Sequence, residues 1–126
     1  MTNIARAEQV LEVLAACGVA DICLCPGGRN SPFVTVLGKS QGFRLFTFPE
    51  ERTAAFFALG RARATKRPVA VMTTSGTAVA ELLPATIEAF YSGVPLVLVT
   101  ADRPKSYRGT GAPQAIEQSD LFGVYV

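Results

Sequence analysis

Two adjacent acids, Glu50 and Glu51, stand just after Pro49 at the head of a segment with helical spacing. Acids in a first turn complement the positive end of the helix dipole, which is reason enough for one of them. Helical phase separates the pair. Positions 51, 54, 55, 58 and 62 read Glu, Ala, Ala, Ala, Ala, a narrow stripe suited to close packing on a sheet or on another subunit. Glu50 instead shares its phase with Thr53, Phe57 and Arg61. Glu51 is therefore expected to point inward. An inward carboxylate needs a partner, because an unpaired buried charge is costly. A ligand nitrogen that shares a proton would serve.

Ser75-Gly76-Thr77 is a second candidate. Its simplest reading is a helix cap and a tight turn. Its functional reading is that Gly76 lets a flat ligand approach the backbone amides. Arg29 and Arg103 form a third. One loop arginine is ordinarily solvated, but two at the same edge of a sheet can grip carboxylates with their planar forks. Gln114 offers a neutral donor and acceptor in the same loop as Arg103, and Asp102 is expected to orient its neighbour or cap a turn.

Several chemistries are excluded. There is no histidine, so no Ser-His-Asp or Cys-His arrangement can be built within the chain. No G-x-G-x-x-G follows the first strand and no G-x-x-x-x-G-K-[ST] occurs. Cys17, Cys23 and Cys25 are an odd set of thiols, read as reduced apolar residues and not as metal ligands. The 12 basic and 10 acidic residues give a charge of +2 and form no basic stripe, which points away from nucleic acid. No apolar run approaches the ~18 residues of a membrane span. The opening MTNIARAEQVLEVL carries Glu8 and Glu12 and reads as a helix, not a signal peptide, so a cytoplasmic protein is expected.

These residues need elements to position them. Hydrophobic content of 49% over 126 residues supports one domain with a core. Helical spacing covers Ile4–Cys17, Ser31–Leu37 with Ser31 as cap, Pro49–Thr65, and Gly76–Tyr91 with a kink at Pro84. Short apolar runs at Ile22–Cys25, Arg44–Phe48, Val69–Thr74 and Leu96–Ala101 read as strands. Alternating strands and helices argue for an α/β fold: three layers around a mainly parallel sheet, flavodoxin-like. Ligands then bind beyond the carboxyl ends of the strands, where all the candidates lie. The chain ends on the apolar DLFGVYV and is expected to be an incomplete domain, 1–126, truncated at its C-terminus.

The stretches CPGGRNSP, FPEERTAAFFALG, PVAVMTTSGTAVAELLPATIEA, PLVLVTADRP and GAPQAIEQSDLFG occur in this order. Together they resemble the N-terminal part of the 2-succinyl-5-enolpyruvyl-6-hydroxy-3-cyclohexene-1-carboxylate synthases, within the thiamine-diphosphate enzyme superfamily. The resemblance implies a pyrimidine-binding domain in which Glu51 shares a proton with N1′ of the cofactor's aminopyrimidine and Ser75, Gly76 and Thr77 contact the cofactor. It implies decarboxylation of 2-oxoglutarate and 1,4-addition of the resulting succinyl semialdehyde carbanion to isochorismate, in menaquinone biosynthesis. It assigns Arg29, Arg103 and Gln114 to substrate. Thiamine diphosphate and Mg²⁺ are implied as cofactors, with the diphosphate and metal ligands outside this fragment, since no G-D-G with a following N-N pair occurs here. A homo-oligomer with the cofactor at the subunit interface is implied, and the fragment alone is expected to be inactive. Gly28 and Pro113 depart from the Ser and Asn that the family commonly carries. Another thiamine-diphosphate 2-oxo-acid decarboxylase or carboligase, or a non-catalytic flavodoxin-like binding module, stays open as an alternative.

Overall fold

Four short apolar runs extend as strands: β1 Asp21–Leu24, β2 Arg44–Thr47, β3 Val69–Thr73 and β4 Leu96–Thr100. In the computed structural model, which describes residues 1–126, they pair in the order β2-β1-β3-β4, every pair parallel. The central strands β1 and β3 are buried along their whole length. Covered on both faces, they read as continuous apolar runs and not as alternating ones.

Five helices supply the cover: α1 Asn3–Ala16, α2 Ser31–Leu37, α3 Glu51–Thr65, α4 Thr77–Ala80 and α5 Leu83–Ser92. The period-two alternation of the strands divides the core in two. Ile22, Leu24, Ala70 and Met72 pack with Leu11 and Leu14 of α1 and Leu37 of α2. Cys23, Cys25, Val69 and Val71 pack with the alanines of α3 and with Leu82 and Ala85. The expected three-layer α/β architecture is therefore present. Its strand order matches the first four strands of a flavodoxin-like sheet.

Ala54, Ala55, Ala58 and Ala62 are all completely buried against the chain's own sheet. Small side chains let α3 lie close to β1 and β3. This corrects the alternative use of the stripe as a contact face for another subunit, because none of it remains exposed.

Two other expectations are corrected. The helix expected over Gly76–Tyr91 is two helices, and Pro84 lies in the first turn of the second. A proline inside one continuous helix would clash with the carbonyl four residues back, at Ala80. Ending α4 there removes the conflict, and the first turn needs no N–H at Pro84. Ser31 is not the cap of α2; Asn30 takes that place. The Asn30 side chain accepts from the Gly27 amide at 2.7 Å and donates to the Cys25 carbonyl at 2.9 Å, so it closes the turn after β1.

At the opposite edge, Asp21 is buried at the start of β1. It accepts hydrogen bonds from Arg44 Nε of β2 at 2.7 Å and from Arg61 Nε of α3 at 2.9 Å. This ion triad ties β1, β2 and α3 together, and so fixes where the other end of α3 stands.

Candidate active site

The chain runs from β1 outward to β2 on one side and then to β3 and β4 on the other. Such a reversal opens a crevice at the carboxyl ends of the strands, between β1 and β3. The turn after β1 and the turn after β3 meet there. The Cys25 amide donates to the Met72 carbonyl at 2.9 Å, and the Arg29 amide donates to Thr74 Oγ1 at 3.2 Å.

Gly27 allows this approach. A Cβ built there would lie 2.5 Å from Thr74 Cβ, whereas a Cβ on Gly28 meets nothing within 4 Å. Gly27→Ala is expected to cost about 1–3 kcal/mol, the range of an overpacked site. Gly28→Ser should stay within about 0.5 kcal/mol of the parent, like an ordinary surface change. Urea melts of the two variants check the contrast, and equal losses would show that Thr74 does not hold the turn.

Glu50 and Glu51 divide their work. Glu50 is the N-cap of α3 and accepts from the amides of Arg52 at 3.0 Å and Thr53 at 2.7 Å, and from the Thr53 hydroxyl. The Thr53 side-chain and amide bonds hold its carboxyl below the ordinary range. Glu51 is half-buried, and its carboxylate has no hydrogen bond or ion pair within the chain. Its charge is felt by Cys25, whose thiol is pushed up to about 12, first by burial and then by Glu51 and Glu50. Cys25 therefore stays a protonated core residue and not a nucleophile.

Ser75 and Gly76 are buried at the mouth of β3, and Thr77 is exposed as the first residue of α4. Gly76, and not Ser75, occupies the cap position. The Ser75 hydroxyl donates to the Gln114 carbonyl at 2.9 Å. The Gly76 amide donates to Gln118 Oε1 at 2.9 Å, and Gln118 Nε2 donates to the Ala101 carbonyl at 3.0 Å. Gly76 has φ +88°, and a Cβ there would stand 2.8 Å from Gln114 Cα. The close approach at Gly76 is made by the loop after β4. The Gln114 side chain itself is exposed, on a left-handed backbone with φ +56°.

Arg103 lies in that loop with its guanidinium 5.6 Å from the centre of the Tyr107 ring and a buried Nε that has no partner. Asp102 orients its neighbours, as expected. Its Oδ1 accepts from the Arg103 amide at 2.7 Å and its Oδ2 accepts from Arg108 at 2.9 Å. Arg29 is exposed on the rim of an open cleft of about 510 Å³, which Asn3, Arg6, Gly28 and Asp102 also line. Arg103 does not line it. The topology places Glu51 after one edge strand, β2, and Arg103 after the other, β4, with the paired turns between them.

Two residues of this edge escaped the sequence reading. Gln118 carried a signal, the second glutamine of GAPQAIEQ, four positions after Gln114. Arg6 carried none, since only the fold brings the start of α1 beside the turn after β1. No three acids or cysteines gather as a metal site, and no helix is long and apolar enough to cross a membrane.

Residues 5–121 match the family described as thiamine pyrophosphate enzyme, N-terminal TPP binding domain. The chain is similar to the 2-succinyl-5-enolpyruvyl-6-hydroxy-3-cyclohexene-1-carboxylate synthase of Bdellovibrio bacteriovorus, 57% identical over 99% of this chain and 24% of the relative. The synthase of Akkermansia muciniphila is 54% identical over 94% of this chain and 23% of its own length. That of Geobacillus kaustophilus is 50% identical over 94% of this chain and 21% of its own. The chain thus spans about a quarter of the length of the curated relatives it matches. The parallel sheet, the unpartnered acid at the head of α3 and a family match over nearly the whole chain lead to one conclusion: this chain belongs to the N-terminal, TPP-binding domains of the thiamine pyrophosphate enzymes.

Proposed function

We propose that the whole protein is a thiamine-diphosphate-dependent transferase that decarboxylates 2-oxoglutarate and adds the product to isochorismate, and that this chain forms its aminopyrimidine-binding side. The name that the relatives share, 2-succinyl-5-enolpyruvyl-6-hydroxy-3-cyclohexene-1-carboxylate synthase, supports a reaction of this class. The observation that carries the role of this domain is the Glu51 carboxylate, half-buried at a ligand edge with no partner in its own chain. A free acid of this kind fits the ring nitrogen of an aminopyrimidine.

When bound, thiamine diphosphate supplies the electron sink for decarboxylating a 2-oxo acid. Glu51 holds a proton between its carboxylate oxygen and N1′ of that ring. General acid–base transfer by a positioned carboxylate contributes about 10²–10⁴-fold. The turn Ser75-Gly76-Thr77 borders the cofactor, kept in shape by Gln114 and Gln118. Arg29 and Arg103 hold substrate carboxylates through their guanidinium forks, and Gln114 presents its free amide to the same ligand. Mg²⁺ and the diphosphate are held by residues elsewhere in the protein. The working form is a cytoplasmic homo-oligomer with the cofactor between subunits.

An assay of the full-length protein tests this reading. Carbon dioxide release is expected from 2-oxoglutarate, and a coupled product only when isochorismate is added. Release from pyruvate alone would assign the protein to another decarboxylase or carboligase of the same cofactor. No turnover of any 2-oxo acid would make the chain a binding module.

A further inference from the structure

The cleft beside the turn after β1 is lined by a second arginine that the proposed substrate site does not use. Arg6 stands at the end of the first turn of α1, whose N-terminal end lies at the carboxyl edge because the helix runs antiparallel to the strands it covers. Arg6 and Arg29 both border the same 510 Å³ space. Neither side chain makes a hydrogen bond or an ion pair within the chain. The one carboxylate on the wall, Asp102, is already engaged by Arg108 and by the Arg103 amide. Two guanidinium groups therefore face a space that holds no free negative charge. Val10, Pro32 and Phe33 add apolar surface to the lining, and Asn3, Ser31 and Thr100 add neutral polar groups. Two cations on one open cleft of mixed polar and apolar lining suit a ligand with two carboxylates. They suit a neutral ligand or a single phosphate poorly.

We infer that Arg6 is a second carboxylate-binding residue of this site, and that with Arg29 it holds the dicarboxylate acceptor. The inference rests on the synthase reading, which names isochorismate as that acceptor.

The test uses full-length holoenzyme and the variants Arg6→Gln and Arg6→Lys. Arg6 is exposed and unpaired, so both variants should keep the parent's melting temperature. Loss of a charge-assisted contact should raise the KM for isochorismate about 10-fold or more in Arg6→Gln. The kcat and the KM for 2-oxoglutarate should stay within about 2-fold, and Arg6→Lys should recover part of the loss because it restores the charge without the fork. An unchanged KM for isochorismate, or a rise confined to 2-oxoglutarate, overturns the assignment. If the parent protein does not use isochorismate at all, the synthase reading fails by itself. The cleft is then judged by calorimetry with isophthalate, a flat ring dicarboxylate. Binding that Arg6→Gln weakens keeps the inference, and no binding to the parent or equal binding to both rejects it.

Discussion

Glu51→Gln in the full-length protein is expected to lower turnover by about 10²–10⁴-fold, the usual contribution of a positioned acid or base. Glutamine has nearly the same shape, and the Glu51 carboxylate makes no bond within the chain, so the melting temperature should hardly move. Glu50→Gln is the matched control. Its carboxylate caps two backbone amides of α3 and takes the Thr53 hydroxyl. Losing that charge should weaken the helix start and lower stability while the reaction continues. The two variants thus separate on different axes, activity for one and stability for the other. If both lost turnover equally, the division of labour between the acids would be wrong.

The largest stability effect is expected at Asp21. Burial disfavours its charge, but hydrogen bonds from Arg44 and Arg61, and their positive charges, win and hold its carboxyl below its ordinary value of 3.8. Removing one partner of a fully buried pair costs about 3–5 kcal/mol. Here both arginines can turn toward water, so Asp21→Ala should cost less, about 2–3 kcal/mol, the loss of charge-assisted bonds. The arginine side chains are unequal: Arg44 is 62% exposed and Arg61 is 30% exposed. Arg61→Gln should therefore destabilise more than Arg44→Gln, because solvent screens the exposed pair. The pH dependence has a definite sign. A depressed carboxyl stabilises the fold above its unfolded value and loses that stabilisation as pH falls through its folded value. The parent should lose stability on acidification below about pH 4, and Asp21→Asn should lack that part of the loss. Urea melts across this range measure it, and an identical acid limb in both proteins would remove Asp21 from the account.

Much of this was legible in one dimension because it rests on local rules. The buried runs of β1 and β3 and the helical phase that separates Glu50 from Glu51 are properties of short windows. The alanine stripe was legible as a packing surface, but its partner was not. Nothing within α3 says whether small residues meet their own sheet or another chain. Pro84 is legible as a disturbance, and only the choice between a kink and a break needs the fold. What escaped was long-range. Gly27 meets Thr74, Gly76 meets Gln114 and donates to Gln118, and Arg6 reaches the cleft of Arg29, all across dozens of residues or between separate elements. Sequence spacing carries no measure of such distances. Arg29 and Arg103 both stand at the carboxyl edge, as their places after β1 and β4 dictate, and the cleft also joins Arg29 to Arg6.

On the proposed reading, Glu51 serves the cofactor by sharing a proton with its aminopyrimidine. The most direct measurement is the rate at which bound thiamine diphosphate exchanges its thiazolium C2 proton for deuterium, followed by quenched-flow NMR on full-length holoenzyme without substrate. Exchange in Glu51→Gln should slow by about the same factor as turnover, within the 10²–10⁴ range, while Glu50→Gln exchanges like the parent. Parent-like exchange in Glu51→Gln, with cofactor fully bound, would contradict the claim.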